Sequence, residues 1–192
     1  MLISILIVII QGFVGLTGFY TNSNSRPLHF VLLMAPAIML IAIVFISPGG
    51  RKMMDKMNTE WLILIHTVRI LVEIVLFNLY LHNTIPQLMT FEGRNPDILS
   101  GISALLAWWL YKRGSISAKV LVAWNIICLL LLVNIVTNAI LSVPSPLQQF
   151  AFDQPNVAIL YFPYVWLPAF IVPVVLFAHL SSLYLLRKKI SN

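Results

Sequence analysis

The sequence has few charged residues and a single cysteine. Charged residues make up 9% of the 192 positions and hydrophobic residues 60%, with a mean hydropathy of +0.94. Soluble domains contain about 25% charged residues and about 45–50% apolar residues. This balance excludes an ordinary soluble protein and predicts an integral membrane protein. Cys128 is the only cysteine, so an intrachain disulfide and a cysteine metal cluster are both excluded.

Several signals that would change this interpretation are also missing. The apolar run at residues 2–20 lacks a basic segment before it and a small-residue cleavage site, so we predict a helix rather than a signal peptide. The sequence has no lipidation box, linker or low-complexity tail. We therefore predict one integral membrane domain over residues 1–192.

Basic residues outnumber acidic residues, 12 to 6. They are too few and too dispersed to form a groove that follows phosphates, so we predict no nucleic-acid partner. They are instead topology signals, because cytoplasmic loops retain Lys and Arg. Nine fall on one face in a six-helix arrangement, whereas Arg26 and Arg94 fall on the other. The pattern predicts a bacterial inner (plasma) membrane protein with both termini in the cytoplasm. The nine are Arg51, Lys52, Lys56, Lys112, Arg113, Lys119, Arg187, Lys188 and Lys189.

Six apolar segments predict an all-α fold, a polytopic membrane bundle of six transmembrane helices. A spanning helix needs about 20 apolar residues. The fourth segment is shorter than this, so the loop at residues 84–96 before it is a candidate re-entrant segment. The six segments are approximately 2–20, 28–47, 61–82, 97–111, 119–142 and 157–186.

The third segment carries charged residues at helical spacing. His66, Arg69 and Glu73 are three and four residues apart and project from one helix face. A charge at mid-membrane costs about 2.5–3.5 kcal/mol on insertion scales, so such residues should be paired or face water. Two interpretations remain open: an internal Arg69–Glu73 ion pair that fixes helix packing, and a site for a solute or proton.

His66 and His179 in the sixth segment fall at similar depth. Two histidines with no carboxylate at that depth are a weak metal signal. We predict no metal and no cofactor, and assign the histidines to packing or hydrogen bonding.

The segment before the fourth helix predicts a helix start. Asn95 is the candidate N-cap, Pro96 the first helical residue, and Asp97 a negative charge at the positive helix end. Glu92 and Arg94 lie either in the re-entrant segment or in an ordinary exposed loop.

Three asparagines share the predicted outer depth of this loop, which favours an outward-open polar cavity. The alternative for each is a packing role, since such amides contribute about 0.6 kcal/mol as interhelical hydrogen bonds. The predicted solute site consists of Arg69, Glu73, Asn78, Glu92, Arg94, Asn134 and Asn138.

Two further patterns concern helix shape. Pro163, Pro168 and Pro173 predict a bent sixth helix that walls a cavity or acts as a hinge. Gly12, Gly15 and Gly18 in the first segment form a small-residue ridge, which favours close helix contact.

The run MTFEGRNPDILSG, together with RILVEIVLFNL before it, resembles a segment of uncharacterised small bacterial integral membrane proteins with six helices. The resemblance covers the central third of the chain and implies no activity.

Three functional hypotheses follow. The first is binding or translocation of a small polar or charged solute, by a channel or a carrier. The second is a structural or accessory subunit whose buried charges fix helix packing. The third, and less favoured, is a membrane-embedded enzyme acting on a lipid or small molecule, with unidentified catalytic residues. We expect a homo-oligomer or a complex with a partner membrane subunit.

Overall fold

The computed structural model describes residues 2–22 and 29–191, and these residues form an all-helical fold without strands. The helices, numbered along the chain, are α1 (Leu2–Leu16), α2 (Val31–Ile46), α3 (Pro48–Asp55), α4 (Thr59–Leu64), α5 (Val68–Leu81), α6 (Ile98–Lys112), α7 (Ala118–Leu141) and α8 (Val172–Ser191). The predicted break around Arg26 lies outside the described residues.

Three helical stretches in the described ranges are long and apolar enough to cross a membrane: Thr59–Leu81, Ala118–Leu141 and Leu167–Ser191. The first joins α4 and α5 through a 3₁₀ turn at Ile65–Thr67. The bent pair α2 and α3 together would make a fourth, whereas α1 and α6 are shorter apolar helices. Helical structure suited to a membrane is therefore present, with three or four spans by length and composition among the described residues against the six segments predicted from sequence.

The segment after α2, which the sequence predicted as a break, forms helix α3 instead. Ser47 is its N-cap, with Oγ accepting a hydrogen bond from the Gly50 amide at 3.1 Å, and Pro48 occupies the first turn. Both are favourable starts for a helix. The axis of α3 turns 86° away from that of α2. A Cβ atom on Gly50 would overlap the carbonyl oxygen of Val44, so this corner requires glycine.

The last helix begins later than predicted. Residues 157–166, expected to be helical, contain only a 3₁₀ turn at Ala158–Leu160, and the helix starts with a π-helical turn at Leu167–Ile171 that continues into α8. Pro168 lies in that turn, where its missing N–H and its ring disfavour regular α-helical bonding. The helix is therefore irregular at Pro168, while Pro163 precedes it, and the bend predicted from the three prolines stays a prediction.

Helix α1 packs through small residues against the segment before α8. A Cβ on Gly12 would lie 3.2 Å from Nε1 of Trp166, and one on Gly15 would lie 2.9 Å from a methyl of Val165. Trp166 Nε1 donates to the Val8 carbonyl at 3.1 Å. The predicted close contact is confirmed for Gly12 and Gly15. Gly18 differs, because it follows α1 with φ of 72° and permits a turn that a side chain would strain.

Several polar side chains are buried inside the bundle beside its apolar core, and many large apolar side chains are exposed on its surface. On α7, for example, Ile127 and Leu130 are 59% and 62% exposed, whereas Asn125 is completely buried. Helices α7 and α8 pack along each other, and α6 packs against both α4 and α5. This arrangement brings the polar residues of α5, α6, α7 and α8 together.

Candidate functional site

Arg69 is the centre of a buried polar cluster. Its side chain is 2% exposed, and Nη1 lies 2.9 Å from Oδ1 of Asp97. Nη1 also donates to the Cys128 carbonyl at 3.1 Å, and Nη2 lies 2.9 Å from Nε2 of His179. One guanidinium on α5 therefore contacts the residue preceding α6, the backbone of α7 and a side chain of α8.

The ion-pair prediction was wrong about the partner, because Arg69 pairs with Asp97 rather than with Glu73. The chain between α5 and α6 folds back so that the start of α6 lies beside the charged face of α5. Gly101 permits this approach, since a Cβ there would lie 2.8 Å from Cγ1 of Ile70. Two residues that sequence analysis assigned to the helix start thus belong to the cluster.

Asn95 is the second of those residues, and it is not the N-cap of α6. The helix begins at Ile98, and Asp97 precedes it without a side-chain capping bond. The buried Asn95 amide donates to the Glu73 carboxylate and, at 3.0 Å, to the carbonyl of Met89. The inner part of the predicted re-entrant segment is therefore covered by protein.

Glu73 has an unused acceptor. Its side chain is buried, with 1% exposed, and one carboxylate oxygen accepts from Asn95. The other oxygen, Oε2, has no hydrogen-bond partner among the described residues, and Nε of Arg69 is likewise unpartnered there. Two carboxylates thus accompany one guanidinium, which leaves an excess of acceptors and of negative charge when both are ionised.

The histidines extend the cluster along the bundle. His179 Nδ1 lies 2.6 Å from Oδ1 of Asn125, and the ring of His66 stacks on that of His179 with centroids 4.0 Å apart. Both ring nitrogens of His66 are buried without a partner in the described ranges. Both nitrogens of His179 are already occupied, and no group of three or more His, Cys, Asp or Glu residues suited to a metal was found in the part described.

A cavity of about 90 Å³ adjoins Arg69, Glu73 and Asp97. This volume exceeds what one water molecule requires. All other lining residues are apolar, so the walls suit an apolar group, and a polar group fits only beside the three charged side chains. They come from α2, α5, α7, α8 and neighbouring loops: Phe30, Leu33, Met34, Val72, Leu76, Met89, Leu132, Ile135, Val136, Ala139, Ile140, Val143, Ile159, Leu167, Pro168, Ile171, Val172 and Val175.

The structure separates the predicted site residues into two groups. Arg69 and Glu73 line the cavity, and the other five do not. Asn78, Glu92 and Arg94 are exposed. Asn134 donates to the Arg94 carbonyl at 2.8 Å and its amide oxygen lies 3.3 Å from Nδ2 of Asn138, so these amides connect α7 to the loop before α6.

Sequence analysis did not assign Asp97, Asn95, Asn125 or His179 to the solute site. The usable signal was that each lies in or beside an apolar helix. Depth does not reveal which way a helix is rotated or how a loop returns, and these two properties bring the four residues to Arg69.

Comparison with known proteins gives the family of the chain. No curated protein and no solved structure matches it. Residues 27–187, which include the whole Arg69 cluster and all residues lining the cavity, match the family described as a domain of unknown function, DUF8737, and the chain belongs to this family.

Proposed function

We propose that this protein binds, and moves, a small amphiphilic solute inside a six-segment bundle of the bacterial inner membrane, with both termini in the cytoplasm. The observation that carries the proposal is the shape and chemistry of one cavity. It is apolar except where it meets Arg69, Glu73 and Asp97. A ligand that matches it has an apolar body and one polar or charged head.

The head group would contact Glu73. Both terminal nitrogens of Arg69 already have partners, whereas Oε2 of Glu73 has none in the part of the chain described. An unpaired buried acceptor is costly and favours a donor. The proposed head is therefore a hydrogen-bond donor, an ammonium group in preference to a hydroxyl, and Arg69 positions Asp97 and His179.

The π-helical turn at Leu167–Ile171 is the proposed moving part. Leu167, Pro168 and Ile171 line the cavity. A π-helical turn is a local irregularity in α-helical bonding, and such turns are frequent at functional sites. Bending here would open one wall for entry and release of the solute.

A second candidate function is supported by the number of helices that Arg69 connects. Its contacts reach the start of α6, the backbone of α7 and the side chain of His179 on α8. In an accessory or structural subunit, the same contacts would fix helix packing without any ligand.

Thermal unfolding of the purified protein in detergent tests the proposal. We would compare n-hexylamine, n-hexanol and n-hexanoate, which share an alkyl chain and differ in the head group. A ligand that binds only the folded state raises the melting temperature by mass action. We expect hexylamine to stabilise the wild type most, hexanoate least, and Glu73→Gln to abolish the preference.

The matched control is Glu92→Gln, because it makes the same chemical change on an exposed carboxylate. It should retain the response of the wild type. Equal stabilisation by hexanoate, or a Glu73→Gln response identical to the wild type, would contradict the proposal. If no probe acts and the Glu73 variant only melts earlier, the accessory function is favoured.

A further inference from the structure

A second cavity, of about 240 Å³, lies between α1, α2, α3 and the beginning of α8. It shares no lining residue with the cavity at Glu73. Its walls are apolar apart from Ser4, and they include the exposed Met53 of α3. We call this cavity the α1–α8 groove.

The groove has a defined direction. Ala37 on α2 and Ala169 in the π-helical turn line one part, and Val44 on α2 and Phe177 on α8 line the part nearer α3. The ring of Phe177 contacts that of Phe45 at 6.2 Å between centroids, next to the corner where α3 begins. The groove therefore runs along α2 and ends at the α2–α3 corner.

Basic side chains stand at that end. Arg51 Nε donates to the Phe45 carbonyl at 2.9 Å, and Nη2 donates to the Ile46 carbonyl at 3.3 Å. These bonds hold the guanidinium at the end of α2 while leaving other N–H donors of the group available. Lys52 is exposed and immediately precedes Met53 in the groove wall. The apolar groove thus ends at a helix that carries an anchored guanidinium and, at the next residue, an exposed ammonium group.

We propose that the α1–α8 groove holds one acyl chain of an anionic phospholipid, with its phosphate bound by Arg51 and Lys52. The acyl chain accounts for the apolar walls, and the charge complementarity selects an anionic head group. Guanidinium groups bind phosphate in bidentate geometry, and basic clusters beside membrane helices attract anionic lipids. This lipid site is independent of the amphiphile proposed for the first cavity.

Native mass spectrometry of the purified protein would measure binding of phosphatidylglycerol and phosphatidylcholine with identical acyl chains. We expect tighter binding of phosphatidylglycerol. Lys52→Gln should weaken it roughly fivefold, and Arg51→Gln with Lys52→Gln more strongly, because each charge contributes a similar attraction. Ala37→Leu, which fills part of the groove, should weaken binding of both lipids.

Two controls make the test specific. Arg113→Gln with Lys119→Gln removes two exposed charges remote from the groove, one of them stacked on Trp109 at 4.0 Å, and should leave binding unchanged. Glu73→Gln should also leave it unchanged, which separates this site from the proposed function. Equal binding of the two lipids, or equal losses with the control pair, would overturn the lipid site.

Discussion

At the scale of residues, the main feature is a buried guanidinium shared by three neighbours. Removing charges from water is expensive, and a buried ion pair is maintained only when the remaining donors and acceptors are also satisfied. Arg69 meets this condition at its two terminal nitrogens, through Asp97, the Cys128 carbonyl and His179, whereas its Nε has no partner among the described residues. The pair therefore acts as a unit, and removing one member should cost more than removing both.

We predict that Arg69→Met lowers the free energy of unfolding by about 3–5 kcal/mol, because Asp97 is left buried and uncompensated. Adding Asp97→Asn should restore a large part of this loss. Reversible unfolding in mixed micelles measures the cycle of the two single variants and the double variant. Arg94→Met is the control, since Arg94 is exposed, and should cost less than about 1 kcal/mol. If the double variant were no more stable than Arg69→Met alone, the loss of stability would not come from an uncompensated Asp97.

Sequence could identify Arg69 and Glu73 as buried, because their charges lie deep within an apolar helix. It could not identify Asp97 as the partner of Arg69. That pairing depends on how residues 82–97 fold back onto α5, which is a tertiary property. From sequence alone, Glu73 was the expected partner because it lies four residues after Arg69 on the same helix. The amide nitrogen of Asn95 donates into the cluster while its Oδ1 accepts from the Asp97 amide just before α6 at 3.3 Å, and the first of these roles was missed for the same reason.

At the scale of helices, the α2–α3 corner is a restrictive packing feature. Gly49 and Gly50 are adjacent in α3, yet a Cβ on Gly50 would overlap the Val44 carbonyl and one on Gly49 would meet no atom within 4 Å. The same Gly→Ala substitution at the two positions therefore tests the corner at Gly50 and provides its control at Gly49.

Gly50→Ala should destabilise the protein by about 1–3 kcal/mol, because the added methyl forces the corner apart. Gly49→Ala should be neutral or stabilising by up to about 1 kcal/mol, because alanine has the higher helix propensity. Melting temperatures of the two variants in the same detergent would decide the question. Similar melting temperatures for the two variants would mean that the α2–α3 corner accommodates the added methyl group without loss of stability.

The existence of the helices was predictable from apolar composition, and their ends were less so. Helix α3 was missed because its glycines and charges match a loop, although Ser47 and Pro48 are recognisable start signals. The late start of the last helix was missed because residues 157–166 are as apolar as the helix that follows. Hydropathy cannot distinguish a buried irregular segment from a helical one.

At the scale of the whole molecule, α3 and α8 are tied together by an exposed ion pair. Lys188 Nζ lies 2.9 Å from Oδ1 of Asp55. The hydrogen bond from Lys188 holds the pKa of the Asp55 carboxyl below its ordinary value. A lowered pKa in the folded state means that this contact stabilises the fold above the ordinary pKa of aspartate and is lost as the pH falls through the lowered value.

Carbon-detected NMR titration of the Asp55 carboxyl should therefore give a midpoint below that of an unstructured aspartate. Lys188→Met should return the midpoint towards the ordinary value. Lys189→Met is the matched control, because Lys189 lies over the ring of Tyr111 at 5.3 Å, and it should leave the midpoint largely unchanged. If the titration midpoint of Asp55 were the same in the wild type and in Lys188→Met, the hydrogen bond from Lys188 would not be the cause of the lowered pKa.

The unequal lengths of the helices have a consequence for the surrounding lipid. Helix α6 has 15 residues and α7 has 24, which correspond to about 22 Å and about 36 Å, against a hydrocarbon core of about 30 Å. In the proposed six-segment arrangement, the bilayer would have to thin beside α6, and α7 would have to tilt. The two sides would then prefer different acyl-chain lengths, so hydrophobic mismatch would sort lipids around the circumference and give the molecule a preferred orientation towards its neighbours in the membrane plane.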